Sequence, residues 1–150
     1  TTPIYADNIF NVSINPLLRC GLIFSGANYV WKDNKPLNGK EDGVLNAFEL
    51  SQIDLSKVQL VTLSACETGL GDIKSYEGVF GLQRAFKIAG AQKMMVSLWK
   101  VPSEQTAELM IQFYQKWIKG ASIYNALADT QKEMRKKYPP YYWAGFILIE

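Results

Sequence analysis

Val58-Gln59-Leu60-Val61-Thr62-Leu63-Ser64-Ala65 runs directly into Cys66-Glu67-Thr68-Gly69-Leu70-Gly71, and this junction decides the fold. The first eight residues are short, mostly apolar and rich in β-branched side chains, which fits a buried strand. The glycines that follow permit a tight turn whose backbone N–H groups can face an anion. Cys66 thus stands at the carboxyl end of a strand, where open α/β sheets gather ligands and catalysis. A thiol there reacts only if a base or a local positive potential depresses its pKa. On placement alone Cys66 is either such a nucleophile or a small buried hydrophobe.

Downstream the pattern stays regular. Val79, Leu82, Phe86 and Ala89 recur at helical spacing, with Ser75 as N-cap and Gly90 as the stop. Met94 to Trp99 reads as a second buried strand. Ser103 is expected to cap a longer helix with Ala107, Met110, Ile111, Tyr114 and Ile118 on one face and Gly120 at its end. Ser122 caps another, carrying Ile123, Ala126, Leu127 and Met134 until Pro139-Pro140 closes it. Phe146 to Ile149 makes a last strand.

Upstream, Asn15-Pro16 and Gly21 punctuate the apolar residues from Leu17 to Phe24, so short extended or turn segments are expected. Lys32 to Gly43 reads as a surface loop. Asn46 followed by Glu49 resembles a capping box opening a short helix through about Gln52.

This order predicts an α/β fold: a mostly parallel sheet flanked by helices on both faces. The strand before Cys66 is expected at its centre, flanked by Met94–Trp99 and Phe146–Ile149. Three strands make a thin sheet where about five or six are usual, so N-terminal strands are expected to be missing from this chain. The N-terminus has neither an initiator Met nor a signal pattern, as in a processed product or excised piece.

Lys and Arg number 16 against 14 Asp and Glu, a net charge of +2. That balance gives no electrostatic case for nucleic acid or an anionic membrane. The basic cluster Lys132, Arg135, Lys136 and Lys137 falls where a helix should end and complements its dipole. Apolar runs are far shorter than a membrane span. Two cysteines in unlike settings make no disulfide framework and point to a reducing, cytoplasmic setting. Cys20, inside Leu17-Leu18-Arg19-Cys20-Gly21-Leu22, reads as core. With no histidine and two distant cysteines, a metal site lacks ligands. Gly69-x-Gly71 lacks the partners of a phosphate cradle, so no cofactor is expected. Trp99, Trp117, Trp143 and Tyr141-Tyr142 read as core and interface aromatics.

The string Leu63-Ser64-Ala65-Cys66-Glu67-Thr68-Gly69 closely resembles the signature of the CHAT family, caspase-like domains often attached to TPR repeats. Further matches follow the family's order and rough spacing. They are Asn15-Pro16-Leu17-Leu18, Gly26-Ala27-Asn28, Asp42-Gly43, Gly78-Val79 with Gly81-Leu82, Ala89-Gly90-Ala91, Ser97-Leu98-Trp99 and Tyr142-Trp143-Ala144. The resemblance covers about residues 14–150, and residues 1–150 are expected to form the C-terminal part of a single domain of this kind.

The family is similar to caspases, separases and gingipains, in which a Cys–His dyad attacks a peptide bond. The resemblance implies a cysteine peptidase with Cys66 as nucleophile and Glu67, Thr68 and Gly69 as its oxyanion loop. In caspases the histidine lies about 50 residues before the cysteine. Counting back that far reaches Pro16, and the chain contains no histidine at all. Family members carry the base in a His-Gly pair N-terminal to the segment matching Asn15-Pro16, so the resemblance implies a base outside this chain, and these residues by themselves should be inactive. In separase relatives an acidic residue after the next strand helps read a basic P1 side chain. Here that loop reads Lys100-Val101-Pro102-Ser103-Glu104, which makes Glu104 the substrate-reading candidate and Asp72 a second. Early in a helix, Glu104 also simply favours the dipole. Expected partners are a protein or peptide substrate, the N-terminal remainder of the domain and TPR repeats. The alternative is a catalytically inactive interaction module that keeps the caspase-like shell.

Overall fold

Asn15 turns the chain at the start of the described fold. Its Oδ1 accepts the Leu17 N–H at 3.0 Å and its carbonyl accepts that of Leu18, closing a 3-10 turn over Pro16–Leu18. The computed structural model describes residues 15–18, 20–25, 27, 42–64 and 76–150. These fall into two units, one within residues 1–59 and 71–92, the other within 60–70 and 93–150.

In the first unit, β1 (Gly21–Ile23) pairs antiparallel with β2 (Val44–Asn46), Leu22 opposite Leu45. The expected capping box is present. Asn46 Oδ1 accepts the Glu49 N–H at 2.9 Å, and Glu49 Oε2 accepts the Asn46 N–H at 3.0 Å, starting helix α1 (Ala47–Ser51). Helix α2 (Tyr76–Ile88) buries Ala85 and Phe86. It stops as its glycine requires: Gly90 sits at φ 95° and donates to the Lys87 carbonyl, while the Ala91 N–H reaches that of Phe86. That is a Schellman closure, which a side chain at Gly90 would strain. The N-cap expected at Ser75 lies outside the described residues.

In the second unit, β3 (Val61–Leu63), β4 (Met94–Ser97) and β5 (Phe146–Ile149) form one sheet in that order. β3 and β4 are parallel, Val61 opposite Met94 and Leu63 opposite Val96; β4 and β5 are antiparallel, Ser97 opposite Phe146. Among the described residues the sheets are therefore small and mixed, not mostly parallel, and β4 rather than the strand before Cys66 is the middle one.

The reason lies in the two helices between β4 and β5. Helix α3 (Ser103–Ile118) runs away from the carboxyl end of β4, and α4 (Ile123–Met134) returns beside it. The pairs Lys116–Glu133 and Glu108–Lys137 show the antiparallel match. A single helix would deliver the chain to the amino end of the sheet, ready for a parallel strand. A helical pair brings it back to the carboxyl end, so β5 must run the other way.

The core of this unit joins Met95 and Phe146 to Leu109, Phe113, Ile123, Ala126, Leu127 and Met134. Met94 and Val96, pointing to the opposite side of β4, are also buried. Helix α3 departs from its expected face. Leu109 and Phe113 fill the core, while Ile111 and Ile118 are 58% and 82% exposed. Apolar side chains cover so much of its circumference that periodicity alone admits two stripes.

Its start differs too. The cap position is Pro102, with no side-chain cap, and Ser103 is already helical. Gly120, at φ 101°, closes α3 by the same Schellman pattern as Gly90. Ser122 caps α4 as expected, its Oγ accepting the Asn125 N–H at 3.1 Å. Helix α4 ends at Met134, ahead of Pro139-Pro140, and the basic cluster does sit at its C-terminus.

Candidate active site

Because β3 and β4 are parallel, the chain leaves both strands at one edge of the sheet, at Ser64 and at Leu98. Cys66 is three positions beyond the last residue of β3. Cys66, Glu67, Thr68, Gly69 and Asp72 lie outside the described residues. Glu104, the remaining candidate, is exposed in the first turn of α3, a favourable end of the dipole for a carboxylate.

The loop after β4 is held from several sides. The Leu98 N–H donates to the Gly145 carbonyl at 2.8 Å. The Trp99 indole N–H donates to the Tyr141 carbonyl at 2.8 Å, and the Tyr141 hydroxyl donates to the Lys100 carbonyl at 2.7 Å. The two rings stack, 6.4 Å between centroids. Gly145 packs so closely under Trp99 that an added Cβ would lie 2.9 Å from the indole Cε2. Val101 is buried, and its carbonyl accepts from the Thr106 hydroxyl at 3.4 Å. This loop is thus fixed by aromatic packing and backbone bonds.

Sequence reading separated the motifs Ser97-Leu98-Trp99 and Tyr142-Trp143-Ala144; the structure joins them. A 3-10 turn over Pro140–Tyr142 presents Tyr141 to Trp99, and the Trp143 indole donates to the Tyr138 carbonyl at 3.0 Å. In sequence Tyr141 is one of several aromatics. Its one signal was the preceding pair of prolines, which forces a turn just there.

The electrostatics centre on Glu108. Its carboxylate accepts from Lys137 Nζ, from the Tyr138 hydroxyl and from Gln112 Nε2, at 2.8, 2.8 and 2.9 Å. Lys137 first, then Tyr138, hold the Glu108 carboxyl below the usual glutamate range. The same bond to Glu108 is the main cause that raises the Tyr138 phenol, and the charge of Glu104 adds a little. These groups brace α3 against the end of α4. Cys20 is buried as expected, and desolvation pushes its thiol up. Such a thiol is a poor nucleophile.

A parallel strand pair, a Cys-Glu-Thr-Gly run just past the first strand and a clamped loop after the second belong to a mixed α/β domain. The chain matches the CHAT domain over residues 4–150, and it belongs to that family. It is similar to Tetratricopeptide repeat protein 28 of Mus musculus, 34% identical over 109 residues, or 71% of this chain and 4% of that protein. The protein of the same name from Homo sapiens is 33% identical over the same length and shares. The chain therefore spans about 4% of the curated relatives it matches.

Proposed function

We propose that this CHAT domain is a cysteine peptidase domain, with Cys66 as nucleophile and the histidine of its dyad supplied from outside these 150 residues. The observation that carries the reading is the parallel pairing of β3 and β4 with Cys66 just past the end of β3. Loops that follow two parallel neighbours share one edge, and that edge is where sheets of this class do chemistry. The raised pKa and burial of Cys20 favour Cys66 as the reactive thiol of the two.

The Cys66 thiolate attacks the carbonyl carbon of a peptide bond, and backbone N–H groups of the Glu67–Gly69 loop hold the oxyanion. The external imidazolium gives its proton to the leaving amine, and water then releases the acyl group from sulfur. The clamped loop after β4 borders the site, and Glu104 and Asp72 read the substrate side chain. Without a base, only a few per cent of an ordinary thiol is thiolate at neutral pH, so these residues by themselves turn nothing over. The natural partners are a protein or peptide substrate and the TPR-bearing remainder of a longer polypeptide in a reducing compartment.

The test is cleavage by the full-length polypeptide and its Cys66→Ala variant, across basic, acidic and apolar P1 residues. The expected result is cleavage lost with Cys66. Cleavage that survives the substitution would place the nucleophile elsewhere. No cleavage with native partners supplied would make the domain an interaction module.

A further inference from the structure

We propose that Trp99 and Tyr141 form a shelf that seats an apolar or aromatic side chain of the peptide substrate, at a residue other than P1. This assignment rests on the peptidase reading and gives that site a second point of substrate recognition. In the parallel pair, Leu63 lies opposite Val96. Cys66 follows Leu63 by three positions, and Trp99 follows Val96 by three. The chain thus reaches both from one edge of the sheet, after equal lengths. Three residues reach about 10 Å at most and neighbouring strands lie about 4.8 Å apart, so an extended peptide of several residues spans from one to the other.

Tyr141 is fixed yet uncovered. Its carbonyl accepts the Trp99 indole N–H and its hydroxyl donates to the Lys100 carbonyl, but the residue stays 51% exposed. The two rings lie 16° from parallel, and Gly145 backs the indole with no room for a Cβ between them. The clamp needs these bonds; it does not need an aromatic face in solvent. A face already held in one orientation loses little freedom on binding, and Tyr and Trp dominate contacts of this kind.

What the pair can offer follows from what it has used. The indole N–H, the Tyr141 carbonyl and the hydroxyl hydrogen are all engaged inside the clamp, which leaves ring faces. A ring face is the negative part of the aromatic quadrupole and repels a carboxylate. Lys100, exposed beside Trp99, has no ion pair among the described residues. Its charge opposes a basic side chain that the rings would otherwise attract. An apolar or aromatic side chain is the class that remains, and Glu104 and Asp72 are left to P1.

The experiment cleaves a panel of peptides with the full-length polypeptide. P1 is held fixed, and Gly, Leu, Phe, Asp or Arg is placed at each flanking position in turn. One flanking position should favour Leu and Phe over the other three. There the kcat/KM ratio of Phe to Gly should fall at least about tenfold in Tyr141→Ala, chiefly through KM. Tyr141→Phe, which keeps the ring, should retain most of that ratio. A flat profile away from P1, a preference for Asp or Arg, an unchanged ratio in Tyr141→Ala or an equal fall in Tyr141→Phe would each overturn the shelf and leave the peptidase reading standing. Absence of cleavage by the wild type would overturn both. A labelling experiment reads the shelf without altering it. A peptide with a benzophenone side chain at the favoured position, bound to the Cys66→Ala polypeptide, should label Trp99 or Tyr141. Labels found only elsewhere, or none, would overturn the assignment whether or not Tyr141→Ala folds.

Discussion

The Trp99 indole N–H donates to the backbone carbonyl of Tyr141 across 42 positions of sequence. Tyr141 in turn donates its hydroxyl to the carbonyl of Lys100, the residue after Trp99. This reciprocal pair ties the loop that leaves β4 to the turn that enters β5. It explains how the end of β4 and the start of β5 meet in one corner.

Gly145→Ala should disturb that corner. The new Cβ would lie 2.9 Å from an indole held by its stack on Tyr141 and by its hydrogen bond, so neither side yields cheaply. We expect a loss of about 1–3 kcal/mol, the cost of overpacking, seen as a lower denaturation midpoint with unchanged m-value. A midpoint equal to wild type would show the indole to be mobile.

Thr130 offers the reverse case. It is fully buried on α4, and its hydroxyl has no hydrogen-bond partner among the described residues. Thr130→Val keeps the shape and removes the orphan oxygen. Stability should rise by about 1 kcal/mol in chemical denaturation, and a clear loss would reveal a hidden partner for the hydroxyl.

Glu108 makes stability depend on pH in a definite direction. Its folded pKa is lowered, so its contribution is complete above the ordinary glutamate range. The contribution is lost as pH falls from that range toward the depressed folded value. Glu108→Gln should therefore melt below wild type at neutral pH, with the two curves converging in acid. Parallel curves across that range would remove Glu108 as the titrating group.

The two thiols should differ in rate. Cys20 is 7% exposed with its pKa raised by burial, so a mild alkylating reagent at neutral pH should reach it last. Peptide mapping after partial labelling should find Cys66 modified first. Faster labelling of Cys20 would contradict the proposed nucleophile.

Local chemistry made much of the fold legible in the sequence. The capping box of Asn46 and Glu49, the Ser122 cap and the stops at Gly90 and Gly120 are each decided within a few residues, by backbone donors and acceptors that must find partners nearby. The strands Val61–Leu63, Met94–Ser97 and Phe146–Ile149 were visible as short apolar runs for the same reason. Of the candidate site, the strand before Cys66 and the placement of Glu104 at a helix start could be read; the loop from Cys66 to Asp72 lies outside the described residues.

Strand direction and helix facing were decided only in three dimensions. β5 runs antiparallel because α3 and α4 form a returning pair, a consequence of how two helices pack rather than of any residue in Phe146–Ile149. Leu109 and Phe113 rather than Ile111 and Ile118 face the core because α4 and β3 fix the rotation of α3. The aromatics of Trp99 and Tyr141 become a clamp only when chain segments far apart in sequence meet. Sequence by itself determined the caps at Asn46 and Ser122 and the stops at Gly90 and Gly120, since those choices are settled by neighbouring backbone groups. Tertiary structure determined which way the elements run and which faces they bury, because those choices are settled by contacts that no local pattern contains.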